Sequence, residues 1–422
     1  MLVDHFFRHE SGKMVSVLTK IFGSQNVDLA EDVVQDSLIE AMEYWQYHDV
    51  PDNPSAWLFR VAKNKALNII HREKYKLQYS NEAAYLLRSG EQPEPADPFS
   101  EQEIQDDQLR MIFTCCHPSI SADSQIALSL KTLCGFSIPE IARAFLTTET
   151  NINKRLVRAR QTIRDEKIPF EVPKGKDLEL RMRAVLETIY LLFNEAYSAT
   201  KGNDIIRFEL CQEAIRLAQM LENENTIKQK GDIYALLSLM FLNTSRFRAR
   251  QDQEGNLLTM GEQNRLLWDR KLQASGFEYL QKATENTVTG TYYILAAISA
   301  NYCLAPDYNS TNWENILALY NCLVEMDHSP VVLLNRAIVL SKITGAQKGL
   351  HELERIKNEP QIKTYHLFHS TQAEFFIELG EFEMAISSLM IAAKWAPLES
   401  IRALLKKKIS YCKEKIRCDS SF

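Results

Sequence analysis

The chain has little of what usually interrupts or staples a fold: only 14 Gly, 13 Pro and 8 Cys in 422 residues. Few Gly and Pro leave few turns, which predicts long helices. Cys115 and Cys116 are adjacent, while Cys134, Cys211, Cys303, Cys322, Cys412 and Cys418 are scattered with no CxxC spacing. That excludes a disulfide framework and a paired-cysteine zinc site, and the thiols read as small buried hydrophobes. No run approaches 18 consecutive apolar residues, and the opening MLVDHFFRHESGKM lacks an apolar signal core, so a cytoplasmic protein with no membrane partner is expected. An excess of base is missing too. The net charge of −6 is the opposite of a usual nucleic-acid footprint. What remains is an ordinary globular composition, 45% hydrophobic and 25% charged, long enough for about two to four folded units.

Resolved by segment, the charge alternates. Asp28, Glu31, Asp32, Asp36, Glu40 and Glu43 lie in a stretch without base. Arg60, Lys63, Lys65, Arg72, Lys74 and Lys76 follow between Pro54 and Lys76 against Glu73 alone. Residues 91–107 are acidic and contain Pro93, Pro95 and Pro98, the composition of a linker. Between Ile152 and Lys167 the chain is basic again. Leu29, Val33, Val34, Leu38 and Ala41 form one apolar face, and Trp57, Leu58, Val61, Ala62, Ala66 and Ile69 another, so the first two charged stretches are predicted helices of a small bundle. Tyr47 to Pro54 is their loop.

A helix-turn-helix follows. Ser137 is an expected N-cap with Pro139 in the first turn; Thr148 is placed to cap the next helix. On that second helix Ile152, Leu156, Ala159 and Ile163 face inward, and Asn151, Lys154, Arg155 and Arg158 face out. Amide and guanidinium groups at the first turns of a second helix suit base edges and phosphates in a major groove. A solvated basic helix would carry the same pattern.

The order AEDVVQDSLIEAMEYW, then PSAWLFRVAKNKALNIIHREK, an acidic linker, and SIPEIARAF with NINKRLVRARQTIR resembles the sigma-70 family over about residues 5–167, specifically its two-domain extracytoplasmic-function type. The resemblance implies docking of Asp28, Glu31, Asp32, Gln35, Asp36 and Glu40 on the β′ clamp helices of core RNA polymerase, with further contact to the β subunit. It implies a minus-ten strand path along Arg60, Lys63, Asn64, Asn68 and Arg72, with a flipped base held by the loop 47–53. Asn151, Lys154, Arg155 and Arg158 would read the minus-thirty-five element. Position 68 is often Asp in the family, where this chain has Asn68. Trp57 is expected in the core.

Beyond residue 167, Ala373, Phe376, Gly380, Phe382, Ala385, Leu389, Ala392 and Pro397 match a tetratricopeptide repeat. Leu333, Ala337, Leu340, Gly349, Leu353 and Ile356 form a second copy. Tyr293, Ala297, Ala300, Trp313, Ile316, Tyr320 and Leu323 form a looser third. The whole resembles the tetratricopeptide-like extension of one extracytoplasmic-function subgroup, with Asn194-Glu195-Ala196-Tyr197 where NEGY is usual. The extension is thereby implied to govern activity, through a ligand or a protein partner. The expected architecture is all-α: region 2 at 1–78, an acidic linker at 79–107, region 4 at 108–168 and a repeat domain at 175–422. No metal, cofactor or enzymatic reaction is expected. Cys115, Cys116, His117 and Cys134 make a poor metal site, as do His366 and His369, and Glu195 with Glu213 lacks a catalytic neighbourhood. Glu262, Arg265, Trp268, Asp269 and Arg270 form a polar cluster that is either a solvated face or part of a groove. The rival readings are a helix-turn-helix regulator with a sensing repeat domain, and a peptide-binding repeat scaffold.

Overall fold

The computed structural model describes residues 2–72, 101–145, 147–198, 204–252, 258–286, 289–396 and 399–419. Among them the regular structure is helical, with no strand. The chain divides into two compact bodies, one of Met1–Ala196 with Ile205–Glu224, the other of Tyr197–Asp204 with Asn225–Phe422.

The first body begins with α1 (Leu2–Phe22), α2 (Val27–Tyr47) and α3 (Pro54–Arg72). Their apolar stripes meet as the spacing predicts: Ala30, Val33, Val34 and Ala41 of α2 and Leu58, Ala62 and Ala66 of α3 are buried, with Met14, Val17 and Leu18 of α1. Leu29, Leu38, Val61 and Ile69 are half-buried at the edge of that core. α4 (Glu101–Cys115), α5 (Ala122–Thr132), α6 (Ile138–Ala144) and α7 (Glu149–Asp165) form a second small core around Phe113, Leu128, Leu130, Phe136, Ile152, Leu156 and Ile163. The expected linker 79–107 is overturned at its end. Residues 79–100 lie outside the described ones, but 101–107 already belong to α4, because Ile104 is buried and Asp107 is sealed by Lys20 and Arg110.

α1 touches α2 and α3 on one side and α4 and α5 on the other. The approach is backbone to backbone. A Cβ on Gly12 would stand 2.0 Å from the Leu133 carbonyl oxygen, and one on Gly135, whose φ is +67°, 2.3 Å from the Arg8 carbonyl oxygen. Glycine is the residue that permits both contacts.

α8 (Lys176–Ser198) and α9 (Asp204–Asn223) complete this body. Arg181 donates to the Phe113 carbonyl, Thr188 Oγ1 to Gln125 Oε1 at 2.7 Å, and Arg216 to the Leu133 carbonyl at 3.3 Å. Arg8 bridges Glu140 at 2.8 Å and Glu209 at 2.5 Å. The expected boundary at 175 thus moves: the first two helices of the extension share the body of the helix-turn-helix, joined by buried polar bonds that no local pattern encodes.

The second body runs through α10 (Gly231–Thr244), α11 (Arg270–Glu285), α12 (Thr291–Leu304), α13 (Trp313–Met326), α14 (Pro330–Thr344), α15 (Ala346–Ile356), α16 (His366–Glu378), α17 (Phe382–Trp395) and α18 (Glu399–Asp419). Each helix packs on its neighbours in chain order. Most repeat positions do what the pattern predicts. Ala373, Phe376, Ala385, Leu389 and Ala392 share one buried cluster and Ala337, Leu353 and Ile356 another, in which Leu334 rather than the expected Leu333 is fully buried and Leu340 stays half-buried. Gly349 lets α15 approach α16, since a Cβ there would lie 2.7 Å from the Phe375 ring. Gly380, at φ +77°, turns α16 into α17. Pro397 and the turn expected at residues 253–256 lie outside the described residues.

Candidate promoter and polymerase interface

The helix-turn-helix is capped as its sequence suggests. Glu140 Oε2 accepts from the Ser137 backbone N–H at 2.8 Å while Ser137 Oγ faces the Glu140 N–H, a reciprocal capping box. Thr148 Oγ1 accepts from the Asn151 N–H at 3.2 Å, starting α7. On α7, Lys154 and Arg158 are exposed, Arg155 pairs with Asp123 at 3.0 Å, and the Asn151 amide donates to Thr147 Oγ1 at 2.8 Å. All four expected groups therefore lie off the buried face made by Ile152, Leu156, Ala159 and Ile163.

On α3, Arg60, Asn64 and Asn68 recur every fourth residue and are exposed together, the row needed to follow one strand. Lys63 is half-buried and, with Arg60, borders a cleft of about 970 Å³ whose other walls include Lys13, Glu101, Asp106 and Arg216. The Arg72 side chain lies outside the described residues. Trp57 is half-buried rather than core. Its ring stands 5.5 Å from Tyr44 and 5.4 Å from Trp45 in an aromatic cluster at the foot of the 48–53 loop. Tyr47 is 80% exposed beside it.

The acidic helix α2 is split in use. Asp32, Gln35, Asp36 and Glu40 are exposed, interleaved with exposed Ile39 and Met42, though Glu40 also reaches Lys65 at 2.8 Å. Asp28 and Glu31 face α7 instead. Arg160 Nε stands 2.7 Å from Asp28 Oδ1 and its Nη2 pairs with Glu31, while Arg164 Nη1 reaches Asp28 Oδ2 at 2.9 Å. Burial raises the Glu31 carboxyl above its usual range, against the pull of Arg160. In the sequence Arg160 and Arg164 stand out only as part of a basic stretch. The signal that could have found them is the complementary sign of α2 and α7.

The adjacent cysteines are buried against hydroxyl groups. Cys115 Sγ lies 3.2 Å from Thr132 Oγ1 and Cys116 Sγ 3.8 Å from Ser129 Oγ, both thiols pushed up by burial. No cluster of three metal-ligating side chains occurs among the described residues, and none of their helices is long and apolar enough to cross a membrane.

Residues 6–75 match the Sigma-70 region 2 model and residues 110–163 the Sigma-70, region 4 model. The chain is 34% identical over 84% of its length to an uncharacterised protein of Rhizobium meliloti, covering 83% of that protein. It is 28% identical to the ECF RNA polymerase sigma-E factor of Salmonella typhimurium over 37% of this chain and 81% of that one. The chain belongs to the sigma-70 family, as an extracytoplasmic-function sigma factor with a C-terminal extension. It is a sigma factor for transcription initiation, and region 2 corresponds to α1–α3 and region 4 to α4–α7. In the sigma factor's extension, residues 181–284 match a family of unknown function, DUF6596. No solved structure matches the chain.

Proposed function

We propose that this sigma factor docks on the β′ clamp helices of core RNA polymerase through Asp28, Glu31, Asp32, Gln35, Asp36 and Glu40. It guides the minus-ten strand along Arg60, Lys63, Asn64, Asn68 and Arg72, and reads the minus-thirty-five duplex with Asn151, Lys154, Arg155 and Arg158. It has no reaction of its own; polymerase supplies the chemistry. Two basic faces on separate helices give phosphate contacts that position and polar side chains that read bases.

The observation that carries the reading is the partition of α2. Its exposed acids, interleaved with Ile39 and Met42, form a charged and apolar docking face, while Asp28 and Glu31 are held by Arg160 and Arg164. The closed arrangement of regions 2 and 4 is then the resting form, and polymerase competes with α7 for the first turns of α2. α8 and α9 favour that closed form through Arg181, Thr188, Glu209 and Arg216.

Charge reversal D32K/D36K tests the docking surface. Binding to core polymerase, measured by fluorescence anisotropy of labelled full-length chain, is expected to fall at least tenfold, with helix content unchanged. Unaltered binding would refute it.

A further inference from the structure

The second body contains a group of arginines, one buried and two half-buried, that pack on aromatic rings and whose hydrogen bonds go to neutral groups. Arg246, only 8% exposed, donates to Tyr197 Oη at 2.9 Å, to Asn243 Oδ1 at 3.1 Å and toward Met260 Sδ at 3.1 Å, all neutral partners. Arg265 donates to the carbonyls of Tyr302 at 2.6 Å and Ala305 at 2.5 Å. Both guanidinium groups lie over the Trp268 ring, 5.7 Å and 4.5 Å from its centre, and Arg250 stacks on Tyr197 at 3.9 Å.

Three donors of this group are buried without a hydrogen-bond partner: Arg246 Nε, Arg265 Nη2 and Trp268 Nε1. Trp268 is 3% exposed. No described carboxylate stands within ion-pairing distance of Arg246, Arg250 or Arg265; Asp307 acts on Arg265 only from further off while bonded to Ser310 at 2.9 Å, and Glu262 is bonded to Thr259 at 2.7 Å. Buried polar groups are almost always satisfied, and a buried charge without a counter-charge is costly, so donors of one sign left over in one place call for an acceptor. Guanidinium forks match the planar oxygens of a carboxylate or phosphate.

We propose that Arg246, Arg265 and Trp268 form an oxyanion-binding site in the extension, which takes the phosphate or carboxylate group of a small molecule. Entry is at the half-buried Arg265, whose turn carries Leu266 and Leu267 on the surface, 87% and 50% exposed. The site would make the extension a sensor and does not depend on how regions 2 and 4 engage polymerase.

The test titrates the full chain with sodium phosphate and, separately, sodium acetate, against sodium chloride at matched ionic strength. A saturable rise in melting temperature of roughly 5 °C is expected at about a hundredfold excess over the dissociation constant, with a change in tryptophan emission. R265Q, at a half-exposed position, and W268F, which keeps an aromatic ring but loses the indole N–H, should each weaken binding at least tenfold. R355Q, on an exposed arginine of the same body, should not. A response to phosphate alone assigns the phosphate source and one to acetate alone the carboxylate source. If neither anion exceeds chloride, or if R265Q and W268F respond like the unaltered chain, the proposal is wrong.

Discussion

Replacing Arg160 with Gln removes the cation that Asp28 and Glu31 share, while leaving every residue assigned to polymerase or DNA in place. The Glu31 side chain is 10% exposed and its carboxyl already sits above its ordinary range, with burial the larger cause and Arg160 the opposing one. Stripping one partner from a fully buried pair costs about 3–5 kcal/mol. Asp28 is 45% exposed and retains Arg164, so ~2 kcal/mol is a fair figure, or roughly a thirtyfold shift away from the closed arrangement. When the competent state is a minor population, apparent affinity rises with that population. R160Q should therefore bind core polymerase more tightly, by up to about thirtyfold, and its radius of gyration by small-angle scattering should increase. The gain should shrink as pH falls, because Glu31 then takes up a proton and its unpaired burial costs less. Equal or weaker polymerase binding by a folded R160Q chain would refute the latch.

Gly12→Ala places a methyl group 2.0 Å from the Leu133 carbonyl oxygen; overpacking of this kind costs about 1–3 kcal/mol, so the melting temperature should fall and the chain should expand in scattering. Asp107, fully buried, has its carboxyl pushed up to about 6 by burial, against the pull of Lys20 and Arg110. Its folded state holds a proton more tightly than the unfolded chain, so its contribution to stability is present below pH 4 and lost as pH rises through about 6. In Asp107→Asn that pH-dependent loss should disappear from urea denaturation curves taken across this range; an unchanged pH profile would show that Asp107 does not carry it.

Much of the first body was legible because its signals are local. The apolar stripes of α2 and α3, the Ser137 cap and the Thr148 cap each follow from residues three or four apart, while the part Glu140 plays in the first cap came from the structure. The Ala373 to Ala392 repeat was legible for the same reason, with small residues where two helices cross. What escaped depends on partners far apart in sequence. Asp28 meets Arg160, Gly12 meets Leu133, and Arg8 meets Glu209. The acids of α2 read as a surface for another molecule, and two of them are satisfied within the chain. The linker was overextended because acidity alone does not separate a tether from an acidic first helical turn, where carboxylates are favoured by the helix dipole. The Arg246 cluster escaped because its members come from three separate stretches of chain, and only Arg265 and Trp268 stood in the polar run the sequence singled out.

The sharing of one body by region 4, α8 and α9 bears on where such a chain can be cut. Val185, Leu186, Ile189 and Phe193 on α8 and Leu210, Ala214 and Leu221 on α9 are buried. A stop codon after Lys167 would strip them away and leave Phe113 and Leu133 without the caps on their carbonyls. A break near residue 224 respects the body's own edge. The first helical pair of the extension is thus part of the folded unit that holds region 4. A truncation meant to keep region 4 folded is therefore expected to end near residue 224 rather than after Lys167, and circular dichroism melts of the two truncations would check this.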